Sequence, residues 1–207
     1  VMATTHSSSR GRRRSLMLRV GEVLDVIPRT KPLSPLAAAS PSAPYLQPEA
    51  YEVARWALSQ REERQQSARA LVALGLGAGL PSREICSVRA SDVVADGAAI
   101  QVGNRVVPVL DEWRAELAEL TEVAPHSAAA LFREGVAWHK NMVTNFVATS
   151  LPDGVPPTVQ RMRATWLVEH LSTGTPMQDL LAAAGLKSMD ALVRYERFLP
   201  PPSPVAP

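Results

Sequence analysis

With 207 residues, 46% of them hydrophobic and 20% charged, the chain holds enough apolar matter for one core, so one domain with short appendages is the simplest plan. Aromatics are only 5%, which argues against an all-β design and for packed helices, and Cys86 is the one cysteine, which leaves no intramolecular disulfide or cysteine-rich zinc site. Net charge is only +2, but Arg10, Arg12, Arg13, Arg14 and Arg19 fall within ten residues, a footprint for a polyanion.

In chain order, residues 1–12 read as a disordered basic tail and 13–27 as a short amphipathic helix carrying Leu16, Leu18, Val20, Val23 and Leu24. Residues 28–44 are rich in Pro, Ser and Ala and read as a linker; the globular domain is expected over 45–199 and a Pro-rich tail over 200–207. No apolar run follows the Arg cluster and no segment approaches the roughly 18 apolar residues of a membrane span, so a cytoplasmic protein without a membrane partner is expected.

Inside the domain, Pro48 suits the first turn of a helix running to Ser59. A second helix, with Ala68, Leu71, Val72, Leu74 and Leu76, runs into the Gly75–Gly79 stretch, and a third opens at Pro81 and includes Ile85 and Val88. The period then changes to two. Val93-Val94, a turn at Asp96-Gly97, Ala99 to Val102, a turn at Gly103-Asn104 and Val106 to Val109 make a three-stranded meander. Helices resume over Asp111–Glu122, Lys140–Ser150, Thr158–Ser172, Pro176–Ala184 and Ser188–Phe198. The fold class is mainly α with a small antiparallel β-sheet, an α+β arrangement.

The sequence has no Walker loop, dinucleotide fingerprint, Gly-x-Ser-x-Gly elbow or paired metal-spaced histidines; His6, His126, His139 and His170 are scattered. Hydrolase, nucleotide-binding and metalloenzyme readings have no support, and no metal or other cofactor is expected.

Two distant segments carry a resemblance. Gly77-Ala78-Gly79-Leu80, continuing through Pro81, Glu84, Val88-Arg89 and Asp92, resembles the tyrosine recombinase (phage-integrase) stretch in which a Gly-x-Gly-Leu turn leads into a helix with a Glu, then Leu-Arg and an Asp before a hairpin. Gln160-Arg161-Met162-Arg163-Ala164-Thr165, through Gly185-Leu186 to Tyr195, is similar to that family's His-x-Leu-Arg-His-Thr, Leu-Gly-His and terminal Tyr series, and Arg105-Val106-Val107-Pro108 sits where it places an Arg-x-Val-Pro strand. Order and spacing agree over roughly residues 45–199.

The resemblance implies a DNA-binding protein whose relatives join a Tyr to a DNA phosphate while two Arg and a His cradle that phosphate and a hairpin Lys protonates the leaving oxygen. Bidentate cations suit a pair of non-bridging oxygens, and an alkoxide leaving group needs an acid. Tyr195 matches the nucleophile and Arg163 the second Arg, whereas the first Arg falls at Pro81, the first His at Gln160, the residue after Leu-Gly at Leu186, and Ile100 to Arg105 contains no Lys. Arg83 lies two residues past the missing Arg, about 200° round a helix. The chemistry is expected to be impaired, with Tyr195, Arg163 and, weakly, Gln160 as the remnant of the catalytic set.

Duplex DNA is the expected partner, with self-association on it possible. Binding would fall to distributed cations: Arg10, Arg12, Arg13 and Arg14 in the tail, Arg83 on the third helix, and Arg161, Arg163, Lys187, Arg194 and Arg197 near the last helices. Arg89 could serve likewise or form a buried ion pair with Asp92. A helix-turn-helix regulator is the alternative, with Gly185 in the turn and Ser188–Phe198 as recognition helix; a non-DNA interaction scaffold on the same fold is a third reading.

Overall fold

The computed structural model describes Leu16, Met17, Val20, residues 40–150 and residues 154–199. The tail with Arg10, Arg12, Arg13 and Arg14, the linker up to residue 39, most of the 13–27 segment and the 200–207 tail lie outside those residues. The chain divides into two compact units, Val1–Ser40 and Pro41–Pro207. In the first, Leu16, Met17 and Val20 are helical and exposed.

In the second unit, α1 (Gln47–Leu58) has Pro48 in its first turn, and the Glu49 carboxylate accepts the Leu46 backbone N–H at 2.8 Å. Both are helix-start devices, since first-turn N–H groups lack internal partners. α2 (Glu62–Val72) passes directly into a wide π-helical turn, Ala73–Gly77, where the sequence suggested a plain helix running to the glycines. Gly79 then takes φ +59° and reverses the chain; a Cβ there would stand 2.6 Å from the Trp166 ring. The bare backbone between Gly75 and Gly79 lets Met162, Trp113 and Trp166 pack directly onto it.

α3 (Ser82–Ile85) starts after Pro81 as expected but lasts one turn. Val88 lies beyond it because the chain straightens to pair with the 129–131 segment: Ala90 N–H donates to the Ala129 carbonyl at 2.9 Å and Leu131 N–H to the Val88 carbonyl at 3.1 Å. Cys86 closes the helix, half-buried, and burial pushes its thiol up to about 11, as befits a small packing residue. The Arg89–Asp92 ion pair is not formed; the Asp92 carboxylate accepts the Arg89 backbone N–H at 2.9 Å and the Arg89 side chain is exposed.

The meander forms with both expected turns: β1 (Val93–Val94), β2 (Ala99–Val102) and β3 (Arg105–Pro108), antiparallel in the order β1-β2-β3. Val93 faces Ile100 and Ile100 faces Val107, so one face of the sheet is apolar, and Ile100 and Val107 are fully buried. α4 (Asp111–Glu122) packs on the wide turn, and α5 (Met142–Thr149) follows an irregular stretch that still buries Leu131 and Phe132. α6 (Val159–Ser172) is the central helix, with Met162, Trp166 and Leu167 in the core; α7 (Met177–Ala184) lies against it and against β3.

The last segment departs most from expectation. In place of one helix over Ser188–Phe198 there is a four-residue α8 (Asp190–Val193), a turn, and a 3-10 turn, Glu196–Phe198. Tyr195 N–H donates to the Leu192 carbonyl at 2.8 Å and Phe198 N–H to Tyr195 at 2.9 Å. Leu192 is buried and Tyr195 packs against the core three residues later, a spacing that suits the tighter 3-10 turn that follows.

His170 sits on Trp166, ring centroids 4.5 Å apart, with Nδ1 3.0 Å from the Thr175 hydroxyl, and burial lowers its pKa. The fold therefore favours neutral imidazole. Its contribution is fully present above the unfolded imidazole value of about 6.5 and is lost as pH falls through the lower folded value. Urea unfolding at pH 7.5 and 5.5 should show a loss at the lower pH that shrinks in His170→Gln; an unchanged loss would move its source elsewhere.

Candidate phosphate-binding site

The site forms where four elements meet: the Gly79 turn with α3, β3, the first turns of α6, and the end of α7 with the Tyr195 turn. Arg163, on the second turn of α6, donates from Nη1 to the Gly79 carbonyl and from Nη2 to the Ala184 carbonyl, each at 2.5 Å. It thereby ties the glycine turn to the C-terminus of α7, where carbonyls lack internal donors. Burial pulls the Arg163 guanidinium below its ordinary value; the Glu84 carboxylate opposes that, as an ionised Tyr195 would, and Arg105 adds to it. These four side chains are thus within electrostatic reach of one another.

Arg105 matches the Arg of the family's strand motif in the sequence but is not among the expected site residues. From the start of β3 it reaches the Ala183 carbonyl through Nη1 and the Glu84 carboxylate through Nη2. The signal was available in the strand alternation: Arg105 and Val107 share a face, and Val107 is fully buried whereas Val106 is exposed. An Arg on the inward face must find partners there, and Glu84 is one.

The remaining expected residues sort into groups. Tyr195 is half-buried and within electrostatic reach of Arg163, and Gln160 is exposed on the first turn of α6, three residues before Arg163 and so on its side of the helix. Pro81 supplies no cation, and Arg83 is exposed, away from the inward face that Glu84 occupies. Arg161 has internal work that sequence did not reveal. It pairs with Glu49 at 2.6 Å, donates to the Pro44 and Ala43 carbonyls, and lies 4.0 Å from the Tyr45 ring centre. That set fastens the start of the domain to α6, and with the Leu46 N–H the Arg161 bond holds the Glu49 carboxyl below its usual range. Lys187, Arg194 and Arg197 are exposed on the segment that follows α7, Arg197 also donating to the Pro41 carbonyl at 3.2 Å. Among the described residues no cluster of His, Cys, Asp or Glu could hold a metal, and no helix is long and apolar enough to cross a membrane.

Helices around one small antiparallel meander make up the fold of the tyrosine recombinase catalytic domain. The chain is similar to the XerA recombinase (TM-score 0.58, 18% identity, 84% of this chain and 65% of that one). It is also similar to the catalytic domain of bacteriophage HP1 integrase (TM-score 0.51, 18% identity, 76% of this chain and 89% of that one). A third similar structure is the Tn1549 transposon integrase in complex with circular intermediate DNA (TM-score 0.55, 17% identity, 90% of this chain and 73% of that one). The chain thus spans just under two thirds of the XerA chain. No family model matches the chain, and no curated protein matches it by sequence.

Proposed function

We propose that the chain is a duplex-DNA-binding protein of the site-specific tyrosine recombinase type whose strand-cleavage chemistry is impaired. The observation that carries this reading is the junction itself: Arg163 is anchored to two main-chain carbonyls within electrostatic reach of Tyr195, on the recombinase fold, and Pro81 stands where the resemblance implies a phosphate-binding Arg. A structure built to hold an Arg in that place can bind a phosphate, and backbone contact is the main source of affinity for duplex. Lys187, Arg194 and Arg197 are exposed for further contacts, and the Arg10 to Arg14 cluster would act as an added basic arm. The regulator reading needs Ser188–Phe198 as one recognition helix, and a four-residue α8 is too short to lie along a groove.

An electrophoretic shift on random duplex tests the reading. Affinity should fall at least about tenfold between 50 and 200 mM salt if several phosphates are contacted, and deletion of residues 1–19 should weaken it with the core still folded. Absence of any shift at low salt and micromolar protein would refute it.

A further inference from the structure

Arg105 and Arg163 grip consecutive carbonyls, Ala183 and Ala184, at the end of α7. Neighbouring residues are about 3.8 Å apart along the chain, so two guanidiniums are brought close together at one helix terminus. Both are largely removed from water, the Arg105 side chain being 16% exposed. Two like charges in such a place repel, and Glu84 neutralises only one of them. The site therefore keeps an excess positive charge next to Tyr195.

The donors are not used up. A guanidinium carries five N–H groups, and each of these two spends one N–H from each of two nitrogens on its protein partners. The carbonyl contacts hold the planes of both groups still, which removes most of the entropy cost of presenting the remaining donors to an anion. Gly185 makes room for this: at φ +63° a Cβ would lie 3.3 Å from Arg105 Nε and 3.4 Å from Cζ, so the guanidinium rests on bare backbone.

Set beside the loss at Pro81, we infer that Arg105 is the second guanidinium that meets a DNA phosphate in this site, delivered by β3 rather than by the start of α3. The inference rests on the phosphate-binding reading above and names a residue of that same site. Two charged groups can then clasp the two non-bridging oxygens of one phosphodiester, with Glu84 holding Arg105 in position.

The test uses the full chain, with duplex DNA and inorganic phosphate as separate probes. Arg105→Gln should lower duplex affinity about tenfold to a hundredfold and reduce the slope of log affinity against log salt by about one, while Arg55→Gln, which removes an exposed cation of α1, leaves the phosphate effect below unchanged. Phosphate should raise the melting temperature of the wild type above that in chloride of equal ionic strength, and Arg105→Gln should lose that excess. A folded Arg105→Gln protein with wild-type affinity, slope and phosphate response would reduce Arg105 to an internal brace. If the wild type gives no DNA shift, the DNA reading fails, and the phosphate response alone judges Arg105: loss of the excess in Arg105→Gln supports the site, an equal rise overturns it. Should Arg105→Gln not fold, Arg105→Lys decides, since it keeps the cation without the fork: the slope should stay while affinity falls, and affinity equal to wild type would remove the guanidinium from the contact.

Discussion

A nicked suicide duplex, which traps even a slow phosphotyrosine, is expected to accumulate no covalent adduct with this chain. A phenol attacking a phosphodiester needs negative charge balanced on the phosphate and a proton delivered to the departing oxygen. Arg163 would serve the first task and Arg105 would assist it, each with N–H donors left beyond its internal partners. For the second task the hairpin from Ile100 to Arg105 has no lysine, and Gln160 is an amide with no proton to transfer near neutral pH. Losing one such contribution costs about 100- to 1000-fold in rate, and here several act on the same phosphate. An adduct that forms and disappears in Tyr195→Phe would establish an active recombinase and overturn the impaired reading. With no adduct and Arg163→Ala weakened for DNA, the site is a phosphate holder without the chemistry.

Trp166→Ala should be the most damaging single truncation, costing about 3–5 kcal/mol in urea unfolding. Its indole is fully buried, rests on Gly79, packs on His170 and donates from Nε1 to the Pro108 carbonyl at 3.2 Å. Removing it opens a cavity where α6, the sheet and the glycine turn converge, and orphans that carbonyl. Against a typical domain stability of about 5–15 kcal/mol this is a large share. Gly79→Ala should approach the same cost from the other side, because both its φ of +59° and the 2.6 Å contact with Trp166 oppose a methyl group. A loss under 1 kcal/mol in either protein would mean that this junction relaxes freely.

The order of elements was legible because period and punctuation agreed: Pro48 and Pro81 mark helix starts, and Asp96-Gly97 and Gly103-Asn104 mark the two hairpin turns. What escaped depends on contacts between distant segments. The wide turn at Ala73–Gly77 and the early end of α3 are imposed by rings and strands elsewhere in the chain, which local periodicity does not see. At the site, Arg163 and Tyr195 were found through resemblance, while Arg105 and the internal duty of Arg161 come from pairs 21 and 112 residues apart. A list of cations by position cannot tell a solvated Arg from one held by Glu49.

The meander bears on how copies of this chain could assemble. An open sheet invites another molecule to add a strand wherever a long row of main-chain groups is left unpaired. Here one outer strand is two residues long, and the other begins at Arg105, ends at Pro108 with no N–H to offer, and has α7 alongside it. Edge-to-edge growth has no template among the described strands, so copies gathered along a duplex would have to meet through helices and loops.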